Sequence, residues 1–149
     1  MTGRATQQFT RGQTILLEDT PGDSTYRILS GEVIICKKSP MTGEQVPVAR
    51  LGAGEMFGEM YLFNQNLNRT ASAIALSNDV NLEVLPQEEV RTMMKGLHPA
   101  INRIFEGLSL RLHKISGKYV HAVGVQKAQA EHLGLNPDSN TYIHRPAGE

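Results

Sequence analysis

The hydrophobic pattern of this chain changes period once, at Pro86, and that change limits the possible fold more than any single residue does. Before it, short runs rich in β-branched and aromatic residues are broken about every ten residues by turn chemistry, at Arg11-Gly12, Pro21-Gly22-Asp23, Ser30-Gly31 and Thr42-Gly43. The runs predict strands over 5–9, 14–17, 25–28, 32–37, 45–50, 70–76 and 81–85, with a short one near Met56. After Pro86 the apolar residues recur at helical spacing: Val90, Met93, Met94 and Leu97, then, beyond Pro99, Ile101, Ile104, Leu108, Leu112, Ile115, Tyr119 and Ala122. Pro86 suits the first turn of a helix with Glu88 and Glu89 near its positive end. The second stripe can lie on the β unit, pair with a copy of itself, or do both. Gly107 and Gly117 predict a weak point, most of all near Gly117. A shorter helix is expected around 126–133, stopped by Gly134, and then a tail rich in Asn, Pro, Asp and Ser.

These patterns give a mainly β fold with C-terminal helices: a β-roll of about eight strands over 5–85, then two or three α-helices. One domain is expected over 1–125, with the short helix and a flexible tail over 126–149. A chain of 149 residues is long enough to bury its own core. With 40% apolar residues and no apolar run near the length of a membrane span, no membrane association is expected. The N-terminus carries no secretory pattern and the single cysteine, Cys36, has no internal partner, so the expected home is the cytoplasm. Net charge is zero, against a strong non-specific nucleic-acid surface, although residues 1–90 hold 7 Lys and Arg against 11 Asp and Glu while residues 91–149 hold 8 against 4. The basic end reads as a solvated helix face.

The chemistry concentrates in Phe57-Gly58-Glu59-Met60-Tyr61-Leu62 and, ten residues after Glu59, in Arg69-Thr70-Ala71-Ser72-Ala73. Gly58 lets the backbone turn tightly and approach a ligand. Residues 59–63 can form one helical turn whose free N–H groups attract an anion. Arg69 offers a planar fork for two phosphate oxygens, and Glu59, an acceptor, suits a sugar hydroxyl. Together they suit a ribose phosphate. Along a strand starting at Arg69, alternation puts Ala71, Ala73 and Ala75 on the arginine's side and Thr70 on the other. The three alanines leave room for a ligand; the alternative is an arginine paired with Glu59 in a protein-filled interior.

With Tyr26-Arg27-Ile28-Leu29-Ser30-Gly31-Glu32-Val33 and Leu51-Gly52-Ala53-Gly54-Glu55-Met56, these residues resemble the cyclic nucleotide-binding domain, the sensor module of catabolite-activator-type regulators, of protein kinase A and G regulatory modules and of cyclic-nucleotide-gated channels. The resemblance runs from about Phe9 to Lys118. It implies that Arg69 takes the cyclic phosphate and Glu59 the ribose 2′-hydroxyl, with amides over 58–60 and Thr70 completing the anion site. Thr70 is also where members can hydrogen-bond the base, often favouring cyclic GMP. Ile115 and Ser116 fall where a base-contacting threonine and a serine reaching across a dimer sit, so Ile115 would cap the base by apolar contact. The ligand-binding set so implied is Phe57, Gly58, Glu59, Met60, Tyr61, Arg69, Thr70, Ala71, Ile115 and Ser116. The ligand is cyclic AMP or cyclic GMP, cyclic AMP being the commoner in the family. Members usually carry a small residue at Tyr61, which implies a tighter pocket, or a blocked one that leaves a nucleotide-free docking or oligomerisation module. They also usually begin with a helix that is missing or short here.

The resemblance further implies a regulatory sensor, not an enzyme. Ligand binding would order the loop from Gly58 to Arg69 and shift the helices after Pro86. Dimerisation through 100–122 and a separate effector protein are the expected readouts. With no room for a helix-turn-helix after the long helix, DNA reading is not expected. Gly52-Ala53-Gly54 with Gly58 lacks the spacing of a dinucleotide fingerprint. His98, His113, His121, His132 and His144 form no close pair, so neither a metal site nor a cupin-like enzyme is expected. No cofactor and no catalytic nucleophile stand out, and the six methionines read as core filler.

Overall fold

The computed structural model describes residues 3–63 and 66–134 of the 149. Eight strands come first: β1 (Thr6–Phe9), β2 (Thr14–Leu16), β3 (Ser24–Ser30), β4 (Val33–Lys38), β5 (Gln45–Leu51), β6 (Met56–Phe57), β7 (Ser72–Ala75) and β8 (Val80–Pro86). A 3-10 turn, Met60–Phe63, lies between β6 and β7, and two helices follow, α1 (Gln87–Lys95) and α2 (Pro99–His132). The strands form two antiparallel four-stranded sheets, ordered β1-β8-β3-β6 and β2-β7-β4-β5. Mainly β with C-terminal helices is what the period change implies.

Alternation decides which residues fill the space between the sheets. In β3 and β8, Tyr26, Ile28, Val80 and Leu82 point inward, while Arg27 lies outside and pairs with Glu83 at 2.9 Å. Leu16, Val33, Ala73 and Ala75 answer from the other sheet. Phe57 stacks on Tyr26, its register partner, at 5.4 Å between ring centroids, which fixes the two-residue β6 to the sheet edge. Gly31 has φ +87°, and a Cβ there would come within 2.6 Å of the Asp79 carbonyl, so the β3–β4 turn excludes any side chain.

The helices attach differently. Pro86 ends β8 in an extended conformation and α1 starts one residue later, with Glu88 and Glu89 in its first turn and Lys95 in its last. Pro99 takes the first turn of α2, where the ring of His98 accepts a hydrogen bond from the Ala100 amide. From there α2 runs without a break through Gly117 and through the position where a separate helix was expected to begin at 126. The expected domain boundary at 125 therefore falls inside a helix. Burial explains the continuity: Val120 and Gly124 seat the helix on the β4–β5 hairpin, where a Cβ on Gly124 would lie 2.4 Å from Ser39 Oγ, and Lys127 reaches Glu44 at 2.8 Å. The apolar stripe is not buried against the roll, although Leu112 borders a hollow in it. Ile101, Ile104, Leu108, Leu112, Ile115 and Tyr119 are all exposed. The expected tail over 135–149 lies outside the described residues.

Candidate functional site

Arg69 is placed by its backbone before its side chain makes any contact. Its amide donates to the Thr20 carbonyl at 2.8 Å and its carbonyl accepts from the Asp19 amide at 2.9 Å, tying it to the turn after β2. The guanidinium then points into the roll, with the side chain only 5% exposed. Nη1 donates to the Gly58 carbonyl at 2.7 Å. Its cation lies over the Tyr61 ring, 4.6 Å from the centroid, with Tyr26 at 6.0 Å. The nearest carboxylate in ion-pair range is Asp23, at 3.9 Å and 92% exposed, a screened contact of little strength. Arg69 is not paired with Glu59. Burial pulls the Arg69 pKa down from its ordinary value, and Tyr26, Tyr61 and Asp23 oppose the shift. Most of its donors remain for an incoming acceptor.

Gly58 is required twice over. Its φ of +80° lies in the left-handed region, and a Cβ would sit 3.0 Å from Leu16 Cδ1 and 3.1 Å from Arg69 Nη1. The 3-10 turn begins immediately afterwards, with the Leu62 amide bonded to the Glu59 carbonyl at 3.1 Å. Glu59 is exposed, yet nearby protein desolvates its carboxyl and pushes its pKa above the ordinary carboxylate range, while a bond from its own amide opposes this.

Around these groups is a cavity of about 360 Å³, near the lower end of the roughly 300–1,000 Å³ common for small-molecule sites. Of the residues that the resemblance implies for the ligand, Phe57, Gly58, Glu59, Met60, Tyr61, Arg69, Thr70, Ala71 and Ser116 line it. Thr70 reaches it because β7 begins only at Ser72, so the strand alternation that would have turned Thr70 away does not yet apply. Ala71 and Ala73 line the hollow, whereas Ala75 belongs to the core. Ile115 does not: it is 64% exposed and outside the lining. Leu112 and Ser116, four apart on one helical face, stand there instead. The Ser116 hydroxyl donates within its own helix, to the His113 carbonyl at 3.0 Å.

Tyr61 does not fill the cavity. Its ring is 1% exposed and rests on Gly22, where a Cβ would come within 2.6 Å of the ring. It serves as one wall and as a floor for the guanidinium. Its hydroxyl and that of Thr25 are buried close together without a well-formed hydrogen bond.

The sequence reading missed Lys37 and the apolar wall of Ile35, Val48 and Leu51. Lys37 lies two residues beyond Ile35, so alternation from Val33 pointed inward, but a lysine at a strand end reads as solvent-facing. Among the described residues no group of three or more metal-ligating side chains gathers, and no helix is long and apolar enough to cross a membrane.

The chain is similar to known proteins in sequence and in fold. The CRP-like cAMP-activated global transcriptional regulator of Mycobacterium tuberculosis is 29% identical over 106 residues, covering 71% of this chain and 46% of that protein. In structure, the cAMP-bound form of the EAL enzyme Bd1971 superposes with a TM-score of 0.69 at 27% identity, over 86% of this chain and 33% of that one. Its cGMP-bound form gives 0.65 at 31% identity, over 73% and 28%. The chain thus spans less than half the length of these relatives. Residues 6–96, more than half of the chain, match the family model of the cyclic nucleotide-binding domain, and the chain belongs to that family.

Proposed function

We propose that the cavity binds a cyclic mononucleotide, cyclic AMP or cyclic GMP, and that the domain acts as a regulatory sensor with no catalytic step of its own. The observation that carries this reading is Arg69: a guanidinium held inside the protein with one side-chain hydrogen bond among the described residues, facing a hollow of ligand size. An isolated buried cation is costly, and a phosphate anion completes its pairing. In this reading Arg69 takes the phosphate with the amides over 58–60, Glu59 accepts from the ribose 2′-hydroxyl, and the base lies between the β4–β5 wall and the Leu112–Ser116 face of α2. That the EAL enzyme Bd1971 has both a cAMP-bound and a cGMP-bound form supports the ligand class.

Binding would be coupled to the helices through α2, which contributes to the cavity with one segment and rests on the hairpin with another. A ligand moves the helix only by binding one of its arrangements better than the other. The exposed apolar stripe of α2 supports a homodimer through residues 100–122, with a separate effector protein as the further readout. The docking-module alternative, in which Tyr61 blocks the pocket, is not favoured, because Tyr61 packs beside the cavity and leaves it open. Calorimetric titration with both nucleotides tests the reading. Micromolar or tighter binding of either is expected; no heat at millimolar concentration of both would overturn it.

A further inference from the structure

A second buried cation lines the cavity. The Lys37 side chain is only 9% exposed, and its ammonium donates to the Thr70 carbonyl. Among the described residues the one carboxylate within ion-pair reach is Glu18, whose Oε1 is 3.8 Å away, beyond hydrogen-bond length. Glu18 cannot close that gap cheaply. Its other oxygen accepts from the Lys38 amide at 2.7 Å, and its own amide donates to Ser72 Oγ at 2.9 Å. An ammonium has three protons and no acceptor, so this one keeps donor capacity toward the cavity. Burial pulls the Lys37 pKa below its ordinary range, with Glu18 and Asp19 opposing, as a cation short of partners requires.

Its strand places it on the wall that the reading above gives to the base. Lys37 shares a face of β4 with Ile35, and both line the cavity. Its ammonium bonds the carbonyl of Thr70, the residue after Arg69, so it stands beside the phosphate segment as well as on that wall. Burial first, and Lys37 second, hold the pKa of His113 on α2 below its ordinary value, against Glu18.

We propose that Lys37 selects the base, donating from the cavity wall to the adjacent oxygen and ring-nitrogen acceptors of a 6-oxopurine, so that the site prefers cyclic GMP to cyclic AMP. This rests on the nucleotide-binding reading above. Guanine presents O6 and N7 side by side, the pair a cation reads best, whereas adenine replaces O6 with an amine that is itself a donor. A donor-only ammonium cannot adapt to that amine as a hydroxyl or a carboxamide would.

The test uses the unmodified protein and three ligands: cyclic GMP, cyclic AMP and cyclic inosine monophosphate, which keeps O6 and N7 but lacks guanine's 2-amino group. Cyclic GMP and cyclic IMP are expected to bind within threefold of each other and both about tenfold tighter than cyclic AMP, the discrimination usual for one good base-edge contact. Cyclic IMP binding as weakly as cyclic AMP, or all three binding alike, would overturn the assignment while leaving the nucleotide site intact. If none binds, the nucleotide reading itself fails and this inference with it. In Lys37→Met the two oxopurine nucleotides should each lose about tenfold while cyclic AMP stays within threefold. An equal loss for all three would make Lys37 merely structural.

Discussion

The roll and the long helix handle their apolar residues in opposite ways. Inside the roll, Val33, Val80 and Leu82 are completely buried, in a core cluster contributed by both sheets. Along α2, eight large apolar residues from Ile101 to Tyr119 are exposed, and the buried seat consists of Val120 and Gly124. The roll packs on its own two sheets; the helix meets it through the small buried seat at Val120 and Gly124 and through Leu112 and Ser116 at the cavity. Local stability follows buried contact density, so the cavity's β walls should be rigid and its α2 roof adjustable. That is the division a sensor needs.

The comparison breaks most sharply at glycines. Gly58→Val forces a β-branched residue into the left-handed region and against Leu16 and Arg69. A loss of about 3–4 kcal/mol in unfolding free energy is expected by denaturant titration, with strain and overpacking both contributing. Gly124→Leu strikes the other region. With Ser39 Oγ only 2.4 Å from a Cβ there, the helix must lift from the hairpin. Because the core cluster of the roll contains no residue of α2, global stability should fall by only about 1–3 kcal/mol, while amide exchange in the second half of α2 accelerates and that of β3 and β8 does not. Equal acceleration in both would show the two regions to be one cooperative unit.

Gly117, seven residues earlier on the same helix, should respond in the opposite direction. A Cβ there meets nothing within 4 Å. Gly117→Ala is therefore expected to stabilise the helix by about 1 kcal/mol or slightly less, read as a higher melting temperature. Glu59→Gln should have the smallest effect, and one that depends on pH. The folded-state pKa of Glu59 is raised, so the folded protein holds this proton more tightly than the unfolded chain. Wild-type stability should thus be unaffected below the ordinary carboxylate value of about 4.3 and decline as pH rises from there through the folded value. Glu59→Gln should lack that decline, so that the two proteins match at low pH and the mutant is slightly more stable at neutral pH.

The same contrast shows what the sequence could reveal. Strands β1 to β8 were readable, to within about two residues at their ends, because Tyr26, Ile28, Val80 and Leu82 alternate with polar neighbours and turn residues separate the runs. That Gly58, Glu59 and Arg69 meet at one cavity was readable for a similar reason, since their chemistry is local to two short segments. What escaped notice depends on residues distant in sequence. The continuity of α2 past Gly117 comes from Ser39 and Met41, which no helical periodicity contains. Tyr61 was expected to crowd the pocket because its seat on Gly22 is a contact across 39 positions. Ile115 was assigned to the base by alignment, and the helix presents Leu112 and Ser116 instead.

The central claim, that Arg69 holds a phosphate, is tested most directly by titrating wild type and Arg69→Ala with cyclic AMP and cyclic GMP in the calorimeter, after checking that both proteins give the same circular dichroism. The account predicts a loss of about 2–4 kcal/mol for whichever nucleotide binds, the cost of removing a charge-assisted contact from an enclosed site. An affinity that stays within threefold would contradict it.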